Sequence, residues 1–169
     1  MVTLRCTKKL LRQLRTAPAS EPCSPTTALG DWYANILLTR AHPLVLCVSD
    51  QSLLSVILAA RELDTLASRF QKADREHLLV LGASPQDVER EAVEMHQIEL
   101  GPTASRSVLG SMRELTFAVE DELQRGRFPT IKELQLYLST YIMGPIGMRF
   151  PCEVALDLLH NPRKDSYGV

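Results

Sequence analysis

Hydrophobic positions along the chain either alternate or recur at helical spacing, and the switches between the two periods divide it into elements. Val2-Thr3-Leu4-Arg5-Cys6 alternates and predicts a first strand, with Thr7 placed to cap a short helix over Lys8 to Arg15. Residues 16–28 hold Pro18, Pro22 and Pro25 among Ser, Thr and Ala, which is the composition of a surface loop. Leu29-Gly30-Asp31 turns the chain into a strand over Trp32 to Thr39, with Ile36, Leu37 and Leu38 as its buried part. Arg40-Ala41-His42-Pro43 connects it to the apolar run Leu44 to Val48, and the two read as an antiparallel hairpin at the heart of a sheet.

The run Leu53 to Ala60 fits a third strand or the start of a buried helix equally well, because periodicity does not separate short apolar runs. From Arg61 the positions Leu63, Leu66, Phe70 and Ala73 keep helical spacing. Ser84-Pro85 is a cap followed by proline at the first helical position, with Val88, Ala92 and Met95 as the apolar face. Gln97 to Leu100 reads as a short edge strand. After the Gly101-Pro102 break, Val108, Met112, Leu115, Val119 and Leu123 mark the longest amphipathic helix, capped by Ser105 or Ser107 and stopped by Gly126. Thr130 and Glu133 form a capping box for a helix carrying Leu134, Leu138, Tyr141 and Ile142. Gly144-Pro145-Ile146-Gly147 breaks it, and Pro151 to Leu159 makes the last helix. The fold class expected is α+β: a small, mainly antiparallel sheet of about four strands packed against several amphipathic helices. Residues 1–160 are expected to form one domain and residues 161–169 a frayed tail.

Composition narrows the function classes. The 169 residues are 45% apolar and 23% charged, within the range of a globular protein, with a net charge of −1 that provides no overall field for nucleic acid. Aromatics at 5% leave no broad base-stacking platform. The longest apolar runs fall far short of a membrane span, so no membrane partner is expected. Cys6, Cys23, Cys47 and Cys152 are scattered, and the expectation is reduced thiols in a cytoplasmic protein. His42, His77, His96 and His160 lack metal-ligand spacing, so neither a metal nor another cofactor is expected. Gly110-Ser111 falls inside a helix and is no nucleophile elbow. The acids Glu89, Glu91 and Glu94 and the run Glu120-Asp121-Glu122 read as solvated helix faces.

Three blocks, Cys6-Thr7-Lys8-Lys9-Leu10, Leu29 to Asn35 (LGDWYAN) and Arg106 to Met112 (RSVLGSM), resemble a family of small bacterial proteins of unknown function. In that family an asparagine often precedes the arginine; here the position is Ser105. The resemblance implies a bacterial, cytoplasmic protein whose three blocks meet in space, and it implies no activity.

If they meet, Lys8, Lys9 and Arg106 supply cations, Ser105 and Ser107 hydroxyls at a helix start, Asp31 a carboxylate, and Trp32 and Tyr33 flat faces. Such a set suits a phosphate and a base. The plainer alternative gives Lys8 and Lys9 to a solvated helix end, Asp31 to a turn and Trp32 to the core. The expectation is a non-catalytic binding module for an anionic ligand, a nucleotide or nucleic acid, at the 101–112 helix start. A protein-interaction component or homodimer, using the apolar segment Tyr141 to Phe150, is the second reading, and a phosphoester hydrolase using Asp31 and Arg106 is the third.

Overall fold

The computed structural model describes residues 1–162. Five strands, β1 (Val2–Cys6), β2 (Trp32–Leu37), β3 (Leu44–Ser49), β4 (Ser55–Ala59) and β5 (Ile98–Pro102), form one sheet in the order β4-β3-β2-β1-β5. Six α-helices accompany it: α1 (Lys8–Leu14), α2 (Leu66–Val80), α3 (Pro85–Glu94), α4 (Arg106–Arg125), α5 (Ile131–Ser139) and α6 (Pro151–His160). The class is α+β. The sheet is mixed: β2–β3 and β3–β4 pair antiparallel as expected, whereas β1 pairs parallel with both β2 and β5.

Alternation along the strands assigns side chains to two apolar layers. Val2, Leu4, Cys6, Trp32, Ala34, Ile36, Val45, Cys47, Val56 and Leu58 point into one layer, where they meet Leu10 of α1, Phe70 of α2, Val88 of α3 and Leu159 of α6. Tyr33, Leu37, Leu44, Leu46, Val48 and Ile57 point into the other, against Met112 and Leu115 of α4 and Leu134 and Leu138 of α5. Helices on both faces explain why Leu44 to Val48 is apolar without a break, since a strand buried on both sides has no solvent face.

Residues 53–60 resolve as the strand β4, entered through Leu53 at φ 57°. The second strand ends at Leu37, so Leu38, expected to be buried, is instead 64% exposed. The α5 helix stops at Ser139, before Tyr141 and Ile142, which lie in the following turn. The expected caps are present at Thr7, Ser84, Ser105 and Thr130, the last as a full capping box, and Gly126 closes α4 in the left-handed region at φ 66°. Residues 163–169 of the expected tail lie outside the described residues.

Both sheet edges are closed by side interactions. The proline-rich segment 16–28 runs along β5: Ala19 N–H donates to Leu100 O at 2.8 Å, and Thr26 N–H donates to Met1 O at 2.9 Å. Pro22 sits over Gly101, where an added Cβ would lie 3.1 Å from the proline ring and 2.7 Å from Thr3 Cγ2. On β4, Ile57 N–H donates to Gln135 Oε1 at 2.8 Å and Ala59 O accepts from Arg69 Nη1 at 2.9 Å. Covered edges remove the unpaired ladder groups that invite strand addition.

Trp32 and Phe70 are fully buried, with ring centroids 5.0 Å apart edge to face. Truncating the phenylalanine deletes its packing on Trp32 and leaves a cavity between the sheet and α2, and Phe70→Ala is expected to destabilise the fold by about 3–5 kcal/mol. Urea unfolding with an unchanged slope would register it; a loss below about 1 kcal/mol would show that α2 does not depend on this contact.

Candidate anion site at the carboxyl ends of the parallel strands

The adjacent parallel strands β1 and β5 send their helices to opposite faces of the sheet. From β1 the chain enters α1, whose Leu10 joins the layer with Trp32; from β5 it enters α4, whose Met112 joins the layer with Tyr33. That divergence is a topological switch point, the place outside the strand carboxyl ends where open sheets hold ligands. Lys8 and Lys9 stand exposed at the start of α1, and Arg106 and Ser107 stand exposed at the start of α4. Among the described residues none of the three cations has an ion-pair partner.

Hydrogen bonds join the three sequence blocks at this point. Thr7 Oγ1 accepts from Leu10 N–H at 3.4 Å and donates to Asn35 Oδ1 at 2.7 Å, tying the start of α1 to β2. Tyr33 Oη accepts from Ser105 N–H at 3.1 Å, tying β2 to the start of α4. Ser105 Oγ then accepts from Val108 N–H at 3.3 Å as the helix cap. The amides of Arg106 and Ser107, in the first turn, have no acceptor within the helix and add to its positive end.

Arg5 lies beside this arrangement and carries no ligand reading in the sequence. Its Nε donates to Asp31 Oδ2 at 2.8 Å and its Nη1 donates to Pro102 O at 3.2 Å, with the side chain 18% exposed. Strand alternation is the signal that could have found it, since a charged residue inside VTLRC must have a partner on its own face.

Asp31 and Trp32 are placed elsewhere than the expected site requires. Asp31 is 2% exposed and already accepts from Thr3 N–H at 2.9 Å and from Arg5. It supports the sheet and presents no free carboxylate. Trp32 points into the opposite layer, fully buried against Phe70, so its ring has no face open for stacking. Lys8 and Lys9 stand at the start of α1, and Ser105, Arg106 and Ser107 at the start of α4, the two helices that leave neighbouring strands; Asp31 and Trp32 offer no free group there.

Two of the acids read as solvated are buried. Glu91 accepts from Ala28 N–H at 2.7 Å and Leu29 N–H at 3.0 Å, fixing the approach to β2, and burial raises its pKa against those hydrogen bonds. Glu122 is 4% exposed and bound by Arg127 Nε at 2.7 Å. The four cysteines are free; burial pushes Cys6 up to about 12 and Cys47 well above its ordinary value, which keeps both as neutral thiols. Among the described residues no three His, Cys, Asp or Glu side chains gather as a metal cluster, and no helix is long and apolar enough to cross a membrane.

Gly30 explains its own block. It holds φ +74°, and an added Cβ would lie 2.0 Å from Asp50 Oδ1, so only glycine fits beneath that carboxylate. Asp50 in turn donates its N–H to Asp31 O at 2.9 Å.

The fold and this site define an α+β protein with a two-sided mixed sheet and a cationic switch point. The chain belongs to the family described as a domain of unknown function, DUF6933, whose model matches residues 3–154. No curated protein and no solved structure matches it.

Burial, with the nearby Asp31 carboxylate adding to it, raises the Asp50 pKa to about 6, and the Gln51 side chain and Arg5 only partly oppose the shift. Because the folded-state value lies above the unfolded one, the folded protein binds the extra proton and stability falls as pH rises from about 4 to about 6. Asp50→Asn removes that loss. The stability difference between variant and parent is expected to grow in the variant's favour across this window and level off above it. A pH-independent difference in urea titrations would refute the assignment.

Proposed function

We propose that this protein is a non-catalytic binding module for a phosphate-bearing anion, a nucleotide or a stretch of nucleic acid, held where β1 and β5 end. What supports the reading is the switch point itself, with Lys8 and Lys9 exposed at the start of α1 and Arg106 exposed at the start of α4, none with a carboxylate partner among the described residues. The Ser105 cap leaves the Arg106 and Ser107 amides available to phosphate oxygens, and the 20-residue α4 brings its positive end to the same place. Arg5 Nη2, with no acceptor among the described residues, is a fourth donor nearby. Ligand oxygens would be positioned by these donors, and no residue of the site is placed to carry a base or a nucleophile. The hydrolase reading loses its carboxylate, because Asp31 is committed to Thr3 and Arg5.

Association with a protein partner or a second copy stands as the alternative reading, supported by the 50% exposure of Ile142 and 69% exposure of Met148 after α5. Met143 in the same segment is fully buried, so the apolar surface there is divided between core and solvent. Sedimentation of the parent beside Ile142→Ser/Met148→Ser should show a concentration-dependent mass only in the parent, and a monomer at all concentrations would remove the second copy from this reading.

Short labelled oligonucleotides and nucleoside triphosphates should bind saturably at low salt, with affinity falling steeply as salt rises. Arg106→Ala and Lys8→Ala/Lys9→Ala alter exposed side chains and are each expected to weaken binding about tenfold or more without changing the urea midpoint. Absence of binding by the parent at low salt would return Arg106 to an ordinary helix start.

A further inference from the structure

The hairpin between β2 and β3 projects past the sheet and encloses space that neither layer fills. Residues 38–43 form its tip, closed by the Thr39 hydroxyl donating to His42 O, and tied down where Ala60 N–H donates to Pro43 O at 2.9 Å. Opposite it stand the last turns of α4 with Leu123, and Ile131 at the start of α5. Between them lies an open cavity of about 860 Å³, inside the range of small-ligand sites.

Its lining is amphipathic. Leu38, Leu44, Leu123 and Ile131 give apolar walls, and Leu38 is 64% and Leu123 37% exposed. Arg40 and Arg61 stand at the polar side, and neither has a carboxylate partner among the described residues. One acid, Glu120, faces them from α4, so the two guanidinium groups leave an excess positive charge. Along the α4 axis Glu120 lies about 21 Å from Arg106, at a rise of about 1.5 Å per residue, which separates this cavity from the switch point.

We infer that the hairpin cavity is a second binding site, for a small amphiphile with an apolar body and one anionic head. The body covers Leu38, Leu123 and Ile131, and the head pairs with Arg40 and Arg61. Burying Leu38 and Leu123 supplies the non-directional part of the affinity, at about 25 cal/mol per Å² of apolar surface removed from water. The arginines select charge, and Arg is suited to this because its planar fork engages carboxylate, sulfonate or phosphate heads alike.

The test is a titration of the folded protein with 1-anilinonaphthalene-8-sulfonate, followed by displacement with decanoate, decan-1-ol and decylammonium. Saturable fluorescence that decanoate displaces at a concentration at least tenfold lower than decylammonium is the expected result, with decan-1-ol between them. Arg40→Glu/Arg61→Glu should raise the probe Kd tenfold or more, and Leu123→Asp should do the same through the apolar wall. The charge-matched control Arg12→Glu/Lys72→Glu, on exposed positions outside the cavity, should leave the Kd within about twofold. Near-ultraviolet circular dichroism establishes that each variant is native. Unsaturable fluorescence, equal displacement by the three heads, or an equal loss in the control would overturn the assignment. None of these outcomes depends on nucleotide or oligonucleotide binding at Arg106.

Discussion

The partly buried ion pair between Arg5 and Asp31 fixes the relation of β1 to its neighbours. Asp31 is 2% exposed and holds both the Thr3 amide and the Arg5 guanidinium, so one carboxylate sets the parallel register of β1 on β2. Arg5 then reaches Pro102 O across on β5, so the same side chain spans three strands. Removing one member of such a pair leaves an uncompensated charge and costs about 3–5 kcal/mol. The antiparallel half of the sheet is attached to the same point, since Asp31 O accepts from Asp50 N–H in the turn between β3 and β4.

The amino-terminal edge of the parallel strands is closed by bonds of this kind. Ser49 Oγ donates to Leu29 O at 2.7 Å, Ser52 Oγ donates to Ser49 Oγ at 2.9 Å, and Glu91 gathers two amides from residues 28 and 29. Ser49 and Ser52 are fully buried and Glu91 nearly so, and their polar atoms are matched within the fold. A polar group placed there is structural because burial without a partner would cost about 1–3 kcal/mol.

Local signals made the elements legible, and distant partners hid the sheet. Thr7, Ser84, Ser105 and Thr130 each act within three residues of themselves, and all four cap the helices assigned to them. The β1–β5 pairing joins Val2 to Ile98, a separation that periodicity does not encode, so the sequence assigns the antiparallel hairpin but no partner to β1 or β5. The same distance conceals Glu91 and Asp31: both look solvated or turn-like until the amides of residues 28–29 and the Arg5 guanidinium arrive. Leu38 failed in the opposite sense, since its apolar side chain continued a buried run while the strand ended one residue earlier. At the switch point the cations were legible as residue types. What sets the starts of α1 and α4 at the ends of neighbouring strands is the β1–β5 pairing, which only the strand order reveals.

The carboxyl-terminal edge has the contrary character. Lys8, Lys9 and Arg106 are exposed there, and so are Leu38 and Arg40 at the hairpin tip. Stability does not require any of them, because both apolar layers close without them. An exposed leucine beside arginines without carboxylate partners among the described residues, and cations likewise without ion-pair partners at the starts of α1 and α4, are each a small cost in an isolated chain. The exposed cations and apolar side chains at this edge can be exchanged without disturbing the buried hydrogen-bonded groups at the other. One helix joins the two candidate sites, since the start of α4 carries Arg106 and its last turns carry Glu120 and Leu123.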